Sequence, residues 1–285
     1  ARALERLAQT DAERKQAREL LQGLAGIGGF YEMLALEELK QPITPPSEPA
    51  PLTAAEKKAA SDNPGLQRAL VAIAIGLRAE GVREWNYTTN LHQRGGMNDR
   101  DLLAAADLAC QHEVWGRSIG LDPAYVYGLI RQESRFITDA RSGVGASGLM
   151  QVMPATARWT AKKIGLTDFK SHQITDRDTN IAIGTGYLKL VLDDFAGSMP
   201  MAAAAYNAGP RRPRSWRGGA DAPTLEAAIW IENIPFAETR NYVKKVLANT
   251  TIYAAMISGK TQSLKARLGQ IGPRSASTSE NLDLP

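Results

Sequence analysis

Cysteine, histidine and long apolar runs are scarce in this chain of 285 residues, and each scarcity excludes a class of protein. The single cysteine, Cys110, cannot form an internal disulfide bond, and one cysteine does not indicate a cellular compartment. The three histidines lie far apart, and His112-Glu113 lacks the second histidine of an H-E-x-x-H zinc motif, so we predict no metal site and no cofactor. The best apolar stretch, Ala69 to Leu77, is far shorter than the roughly 18 residues of a membrane span.

Other common signatures are also missing. There is no G-x-S-x-G sequence that would hold a serine nucleophile, and one cysteine with scattered histidines gives little support to a cysteine protease. The net charge of +4 mildly favours an anionic partner, but the basic residues are scattered and not interleaved with aromatic residues, so we predict no binding to nucleic acid. The chain starts without methionine in an amphipathic helical pattern rather than a signal peptide. We therefore expect a mature or truncated form of a longer protein rather than a cytoplasmic one.

Strand patterns are nearly absent, whereas helical periodicity in Ala, Leu, Glu, Lys and Arg runs through the chain, so we predict an all-α protein. Residues 1–40 are predicted to form three short helices, with breaks at Thr10-Asp11 and at Ala25 to Gly29, and Asp11 is the expected N-cap. Paired short helices of this kind stack in helical solenoids, but this stretch holds too few of them to be stable alone.

The next part of the chain begins with Gln41 to Leu52, whose five prolines predict an extended linker. One of the helices that follow is expected to start at Asn63-Pro64, and another to be capped by Asn98 or Asp99. The chain therefore divides into helices over 1–40, a proline-rich linker with further helices over 41–118, a block that carries the motifs described next over 119–268, and a tail over 269–285 whose Ser- and Thr-rich stretch is expected to be disordered.

Glu133 lies in the middle of an apolar helical face. The segment 123–137 is predicted to be a helix, and its apolar residues recur at spacings of three, four and seven as Val126, Leu129, Ile130 and Ile137. Because an ionised carboxylate is costly on a buried face, the pKa of Glu133 should rise and the side chain should keep its proton near neutral pH. Cleavage of a glycosidic bond needs such a protonated acid. The alternative is a glutamate at the edge of the face that reaches solvent through its stem, and periodicity leaves both open.

A glycine loop starts ten residues after Glu133. Gly143 to Gly148 matches the G-x-G-x-x-G dinucleotide pattern letter for letter, but the βαβ unit that this pattern requires is missing, so we reject a nucleotide site. A loop that packs closely against another group is the better interpretation. Pro154 suits the first turn of the next helix. Gln151, just before it, either hydrogen-bonds a substrate amide or the acid, or is an exposed loop residue.

Ala202 to Ala205 leads into Tyr206, and Gly209 with Pro210 predicts the end of a helix there. On this pattern alone, Tyr206 is most simply a core residue with a satisfied hydroxyl group. Four arginines around Trp216 predict a basic loop that either holds an anionic group or is solvated, and they are Arg211, Arg212, Arg214 and Arg217.

Glu232 is a second carboxylate in apolar company, within Ile229 to Pro235. It is either a polar anchor at a ligand groove or a charge at the end of a helix. A long helix is expected to open near Thr239, because aromatic and apolar residues then recur at helical spacing as Tyr242, Val243, Val246, Leu247 and Tyr253.

Four blocks in this order resemble the catalytic domain of the soluble lytic transglycosylases, the large Slt type of Gram-negative bacteria. They are Glu-Ser at 133–134, Gly-Ala-Ser-Gly-Leu-Met-Gln at 145–151, Ala-Tyr-Asn-Ala-Gly-Pro at 205–210 and Glu-Asn-Ile-Pro-Phe-x-Glu-Thr-Arg-x-Tyr-Val at 232–243. The resemblance implies that 119–268 is a lysozyme-like, mostly helical catalytic domain. It also implies that 1–40 is the end of the family's superhelical (U-type) domain and that 41–118 is its linker domain, so that the chain is the C-terminal part of a longer protein.

The resemblance also implies which residues form the site. Glu133 matches the family's sole catalytic acid and base. Eight further residues match positions that line the glycan groove or orient the acid, and they are Ser142, Ser147, Gln151, Met153, Tyr206, Asn207, Glu232 and Tyr242.

The implied reaction is the non-hydrolytic cleavage of the β-1,4 bond between N-acetylmuramic acid and N-acetylglucosamine in peptidoglycan. Glu133 donates its proton to the glycosidic oxygen and, once ionised, removes the proton of the muramoyl C6 hydroxyl, which attacks C1 and closes a 1,6-anhydro ring. The reaction needs neither water nor a metal. Gly145 to Gly148 would let the backbone approach the sugar closely, and Tyr206 would hydrogen-bond either the acetamido group or Glu133.

Two alternatives stay open at this point. A hydrolytic muramidase on the same fold needs a second carboxylate to activate water, and Glu232 and Asp139 are the candidates. A helical scaffold that binds the cell wall or partner proteins without catalysis is the other alternative.

The resemblance implies a periplasmic location and, as partners, the glycan strands and muropeptides of peptidoglycan. Two further expectations concern protein and membrane partners. Other cell-wall enzymes could dock on the helical repeats, and an N-terminal segment missing from this sequence could provide peripheral association with the outer membrane.

Overall fold

The computed structural model describes residues 1–47, 50–75, 77, 80–81, 83–85, 87–89, 120–273 and 283–285. Within these residues the chain is mostly helical, as predicted. The strands found there are β1 (Leu225–Glu226) and β2 (Gln270–Ile271), which pair antiparallel. None of the helices in the described ranges has the length and apolar character needed to cross a membrane. Most of the tail that was expected to be disordered lies outside the described residues.

Contacts divide the chain into two compact units, one made of Ala1–Pro46 with Ser118–Pro285 and the other of Ser47–Arg117. The bounds of the second unit, Ser47–Arg117, are close to those of the predicted range 41–118. The N-terminal helices, which were predicted to belong to a separate domain, instead pack in one unit with the block that carries the motifs. The identities assigned to the predicted domains stay predictions.

The N-terminal part of the first unit forms three helices, as predicted: α1 (Arg2–Leu7), α2 (Asp11–Leu24) and α3 (Phe30–Glu38). A capping box starts α2, because the Thr10 hydroxyl accepts a hydrogen bond from the Glu13 backbone N–H and the Glu13 carboxylate accepts one from the Thr10 backbone N–H. The prediction of Asp11 as the N-cap is therefore wrong by one residue. Thr10 has the glutamate partner three residues later that a capping box requires.

Helix α3 attaches these N-terminal helices to the rest of the first unit. Phe30 and Met33 are buried in the main hydrophobic core. The Glu37 carboxylate accepts a 2.5 Å hydrogen bond from the hydroxyl of Ser263. Ile43, which follows α3, is fully buried and lies in the same core. These apolar and polar contacts over large sequence separations explain why residues 1–46 join the first unit.

The second unit contains α4 (Ala54–Asp62) and α5 (Pro64–Ala74). The Asn63 side chain caps α5 by accepting hydrogen bonds from two backbone N–H groups, at 2.9 and 3.2 Å, which confirms the predicted start of this helix. The predicted cap at Asn98 or Asp99 lies outside the described residues.

Two antiparallel helices form the centre of the first unit, α6 (Pro123–Glu133) and the long helix α12 (Ala237–Ser258). They pack against each other more extensively than any other pair of elements in the described part of the chain. Gly128 permits this approach, because a Cβ atom there would lie 2.8 Å from both the Thr250 backbone nitrogen and the Val246 carbonyl oxygen. The other elements after α6 are α7 (Pro154–Lys163), a 3₁₀ helix (Ser171–Thr175), α8 (Arg177–Asp194), α9 (Met199–Ala208), α10 (Arg211–Trp216), α11 (Ala227–Glu232) and α13 (Leu264–Leu268).

Helix α9 brings its C-terminal end to the site because its other residues are small and buried. Ala202 to Ala205 have no exposed surface, so neighbouring helices contact the α9 backbone closely. The helix ends at Gly209, whose positive φ of 83° suits glycine, and this confirms the predicted end. The last turn of α9 therefore holds Tyr206 and Asn207 at a fixed position.

The four arginines that were predicted to form a basic loop lie on and just after the short helix α10. Arg214 forms a 2.5 Å ion pair with Asp194, and both side chains are almost fully buried. Arg217 donates to the carbonyl oxygens of Gly272 and Pro273. These two arginines therefore stabilise the fold rather than hold a ligand. The prediction of a loop is wrong because both of its prolines, Pro210 and Pro213, fall at the N-cap and in the first turn, where a helix tolerates proline.

We expect Gly128→Ala to destabilise the protein by about 1–3 kcal/mol, because the added methyl group would force α6 away from α12. This cost outweighs the intrinsic preference of a helix for alanine over glycine, which is about 1 kcal/mol. The free energy of unfolding, measured by urea titration, checks the prediction. Gly143→Ala is the matched control, because a Cβ atom there would meet open space. Equal stabilities of the two variants would contradict the role of Gly128.

Candidate active site

The carboxyl group of Glu133 lies at the C-terminal end of α6, against α12. Glu133 is the last residue of α6 and its side chain is partly buried. Its Oε1 atom accepts a 2.5 Å hydrogen bond from the hydroxyl of Tyr242, which lies in the second turn of α12 and is 6% exposed. The contact between the two helices therefore fixes the position of the carboxyl group.

Burial raises the pKa of Glu133 from its ordinary value of 4.5 to about 7, and the hydrogen bond from Tyr242 opposes this rise. This confirms the predicted rise of the pKa. The predicted extent of the helix, 123–137, is wrong, because the helix ends at Glu133 and Ile137 lies outside it. No carboxylate elsewhere in the described residues contributes to the shift. A large fraction of Glu133 therefore carries a proton near neutral pH.

Tyr206 lies near enough to Glu133 to respond to its charge, and its hydroxyl contacts Met150, just after the glycine loop. Burial raises the pKa of the Tyr206 hydroxyl well above its usual value, and the negative charge of Glu133 adds to this effect. The hydroxyl donates a 2.8 Å hydrogen bond to the carbonyl oxygen of Met150, and the ring packs on Tyr187 at a centroid distance of 5.4 Å. Of the two partners predicted for Tyr206, the structure thus shows no hydrogen bond to Glu133, because the Tyr206 hydroxyl donates to the loop.

The loop from Gly143 to Gly148 is held by its own polar groups. The Ser142 hydroxyl accepts a 2.9 Å hydrogen bond from the backbone N–H of Ala146. Ser147 is 8% exposed and pairs through its backbone with Val152, which gives the loop a short bridge-like turn. Both serines that were predicted as site residues therefore stabilise the loop in this structure.

Gln151 ends the loop in an unusual backbone conformation, with a positive φ of 46°. Its side-chain amide nitrogen donates to the carbonyl oxygens of Ala140 and Gly148, at 3.0 and 2.8 Å. A non-glycine residue in this region costs of the order of 1–3 kcal/mol, so these contacts must enforce it. The amide group thus closes the loop with its nitrogen.

Sequence reasoning missed Asn180, which is fully buried on α8 and anchors the loop. Its Nδ2 atom donates to the carbonyl oxygens of Ser147 and Ile174 at 2.9 and 2.7 Å, and its Oδ1 atom accepts from the Met150 backbone N–H at 2.8 Å. Gly148 packs directly on this side chain, and any Cβ atom there would overlap it. The signal available in the sequence was an asparagine directly before the apolar residues Ile181 to Ile183.

A pocket of about 180 Å³ opens between residues 151–153, the first turn of α7, α8 and the end of α9. Four of the predicted site residues line it, namely Gln151, Met153, Tyr206 and Asn207. Met153 is 41% exposed, and the Oδ1 atom of Asn207 accepts a 2.7 Å hydrogen bond from the hydroxyl of Thr239. Sequence reasoning missed five lining residues, namely Val152, Thr156, Tyr187, Gly209 and Pro285.

Pro285 is a lining residue that no local pattern in the sequence marks. The Tyr187 hydroxyl donates to its carbonyl oxygen at 3.4 Å. The adjacent Leu284 is 3% exposed and belongs to the main hydrophobic core. Pro285 therefore forms part of the pocket wall, next to a residue that is buried in the core.

Glu232 lies on another side of α12. It accepts hydrogen bonds from the hydroxyl of Tyr31 at 2.7 Å and from Lys244 at 3.2 Å. Tyr242, the partner of Glu133, and Lys244 are two residues apart, which is about 200° around a helix axis. The structure therefore does not bring Glu232 together with Glu133. Glu232 is the last residue of α11, which agrees with the second of its two predicted alternatives, a charge at the end of a helix.

No group of three or more His, Cys, Asp and Glu side chains within the described ranges has an arrangement that could hold a metal ion.

We expect Glu133→Gln to change how stability depends on pH. Between pH 4.5 and about 7 the folded protein binds a proton at Glu133 that the unfolded chain has released, so wild-type stability falls as the pH rises through this range. Glutamine cannot ionise, so the variant should lack this decrease and above pH 7 should be more stable than wild type by up to about 3 kcal/mol. Urea unfolding of both proteins at several pH values checks this. A difference that does not vary with pH would contradict the buried acid.

We expect Asn180→Ala to destabilise the protein by about 3 kcal/mol, because it leaves two buried carbonyl oxygens and one buried N–H group without their partner. The loop should also open, and amide hydrogen exchange at Met150 should become faster. Asn233→Ala is the matched control, since Asn233 is exposed and its change is expected to cost about 0.5 kcal/mol or less. Unchanged exchange at Met150 would show that Asn180 does not anchor the loop.

Two family models match the chain. The model described as Transglycosylase SLT domain matches residues 112–228, and the model described as Soluble lytic transglycosylase helical domain matches residues 233–261. The second match includes the whole of α12 and does not coincide with residues 1–40, for which the superhelical assignment stays a prediction.

Curated proteins and solved structures agree with these matches. The soluble lytic murein transglycosylase of Salmonella typhimurium is 33% identical over 275 residues, which cover 86% of this chain and 42% of that protein. The protein of the same name from Escherichia coli is 43% identical over 144 residues, 50% of this chain and 22% of that protein. The X-ray structure of an inactive mutant of lytic transglycosylase Slt from Pseudomonas aeruginosa superposes with a TM-score of 0.70 and 30% identity, over 92% of this chain and 46% of its own.

The chain thus spans less than half the length of these relatives. The predicted fold class, all-α with a lysozyme-like helical domain, is confirmed by the likeness to solved structures. The chain therefore matches the SLT domain model over residues 112–228 and is similar to the Slt-type soluble lytic murein transglycosylases.

Proposed function

We propose that this chain cleaves the glycan strands of peptidoglycan as a lytic transglycosylase, with Glu133 as both the acid and the base. The observation that supports this most directly is a partly buried carboxyl group, with a pKa of about 7, inside a match to the SLT domain. The inactive mutant of the Pseudomonas aeruginosa relative replaces a glutamate by glutamine, which also supports an essential glutamate.

In the first step, protonated Glu133 donates its proton to the glycosidic oxygen between N-acetylmuramic acid and N-acetylglucosamine, and the C1–O bond breaks. Glu133 is then a carboxylate that Tyr242 stabilises through its hydrogen bond. In the second step, this carboxylate removes the proton of the muramoyl C6 hydroxyl, whose oxygen bonds to C1 and forms the 1,6-anhydro ring. The proton returns to Glu133, so the reaction consumes no water. An internal nucleophile replaces a bimolecular step, which can contribute several kcal/mol.

The pocket beside Tyr206 is the proposed binding site for the sugar next to the scissile bond. Met153 offers an exposed apolar side chain for a sugar face, and Gln151 and Asn207 offer amide groups for an acetamido group. We propose that Ser142 and Ser147 act by shaping the loop, and that Tyr242 orients the acid. Glu232 would contact substrate only where a longer glycan passes α11.

The hydrolytic muramidase is the less favoured reaction. It needs a second carboxylate to activate water against the sugar. Glu232 contacts a different side of α12 from Glu133, and Asp139 is an exposed residue in the turn after α6. Neither contributes to the raised pKa of Glu133. A catalyst with one carboxyl group suits an internal nucleophile better than water.

We also propose that the protein works in the periplasm, where peptidoglycan lies, and that 119–268 is the catalytic domain. The assignment of 1–40 and 41–118 to the superhelical and linker domains belongs to the same proposal. Docking of other cell-wall enzymes on the helices, and association with the outer membrane, stay predictions.

We expect purified sacculi treated with the protein to release muropeptides one water lighter than the products of hydrolysis, as measured by mass spectrometry. Glu133→Gln should reduce their release at least about a hundredfold, because it removes the acid and base while the fold is kept. Glu232→Gln is the matched control and should still give the anhydro products. Reducing-end products would establish a muramidase instead, and no products from the folded wild type would favour a binding scaffold.

A further inference from the structure

Two consecutive residues just after α6 have a left-handed backbone. Arg135 has a φ of 52° and Phe136 a φ of 65°, and neither is a glycine. Residues with side chains adopt this region only where surrounding contacts enforce it, and such residues concentrate at functional sites. The two residues lie two and three positions after Glu133, so the chain bends sharply beside the proposed acid.

The bend places the ring of Phe136 against both central helices. The ring lies 6.2 Å from that of Tyr127 on α6 and 6.3 Å from that of Tyr253 on α12, in the second case edge to face at 82°. Tyr127 and Tyr253 also contact each other at 5.7 Å. We call these three mutually contacting rings the aromatic clasp. Aromatic pairs in such geometries stabilise more than their buried area alone provides.

The clasp lies on the same helix pair as the acid. Because α6 and α12 run antiparallel, Glu133 meets Tyr242 at one level, Gly128 contacts α12 at the next, and Tyr127 meets Tyr253 farther along. The third ring of the clasp comes from the chain that leaves α6 directly after the acid. The contacts of this third ring therefore help to fix the position of the last turn of α6 relative to α12.

We propose that Phe136 is a positioning residue for Glu133. Through the aromatic clasp it holds the end of α6 against α12 and so keeps the carboxyl group on the Tyr242 hydroxyl. The ring contacts neighbouring tyrosines and does not line the pocket. The strained bend is maintained because the ring contacts it makes possible offset its cost. This inference rests on the proposed role of Glu133 as the acid.

The test compares wild type with Phe136→Leu, Phe136→Tyr and Phe195→Leu. We expect Phe136→Leu to lower kcat about tenfold to a hundredfold with KM nearly unchanged, because a displaced acid affects the transition state more than binding. Activity falls with rising pH as Glu133 loses its proton. In Phe136→Leu, water that reaches Glu133 beside a loosened α6 should lower its pKa, so activity should fall at a lower pH than in wild type. Phe136→Tyr keeps an aromatic ring at this position and should have the kcat and the pH profile of wild type. Phe195→Leu is the matched control, because Phe195 is 4% exposed in the same core but outside the clasp.

An unchanged kcat and pH profile in Phe136→Leu would overturn the proposal. So would an equal loss of kcat in Phe195→Leu at equal stability, because that result indicates a general structural effect. If Phe136→Leu does not fold, Tyr253→Leu removes another ring of the clasp and carries the same expectations.

A readout without turnover separates this inference from the proposed function. NMR titration of the Glu133 carboxyl group, labelled with ¹³C, measures its pKa in wild type and in Phe136→Leu. A lower pKa in the variant would support the positioning role, and an equal pKa would overturn it. Wild type that releases no anhydro products would instead refute the proposed function, whatever the titration shows.

Discussion

A carboxyl group holds a proton near neutral pH only if it is shielded from water and has no positive charge close to it. The contact between α6 and α12 meets both conditions at Glu133. Burial raises the pKa of this residue, and its hydrogen-bond donor is the neutral hydroxyl of Tyr242, which lowers the pKa much less than a guanidinium group would. The two helices can approach this closely because Gly128 has no side chain. The chemistry of the acid therefore depends on the packing of one helix pair.

The pocket beside Tyr206 depends on buried polar groups rather than on apolar packing. Asn180 satisfies the Ser147 carbonyl oxygen of the glycine loop, the Met150 N–H group just after it and one carbonyl oxygen of the 3₁₀ helix. Tyr206 satisfies the Met150 carbonyl oxygen. Each of these groups would be costly if it were buried without a partner. The loop therefore has one favoured conformation, and the residues that line the pocket are presented before any ligand arrives. Such preorganisation reduces the free energy that binding would otherwise spend on ordering the loop.

Features that depend on neighbouring residues were predictable from the sequence, and features that depend on distant residues were not. The apolar face of α6 gave Glu133 and its raised pKa, and glycine and proline gave the end of α9 and the start of α7, because each of these signals acts within a few residues. The partner of Glu232 is Tyr31, which lies 201 residues away, and no periodicity connects them. Arg214 was predicted in a basic loop, yet its charge is neutralised by Asp194 inside the fold. The left-handed bend after α6 was not predicted for the same reason, because it depends on contacts with rings from two helices.

A pKa of about 7 is a compromise that a single carboxyl group must make if it serves both steps. A carboxyl group with an ordinary pKa would be ionised at neutral pH and would have no proton to donate. In a carboxyl group with a much higher pKa, the ionised form would be unstable, and the carboxylate that acts in the second step would be costly to form. A second carboxylate nearby would push the pKa in that direction, because like charges disfavour ionisation. The absence of such a neighbour among the described residues around Glu133 thus fits an internal nucleophile, for which one group near neutrality is sufficient.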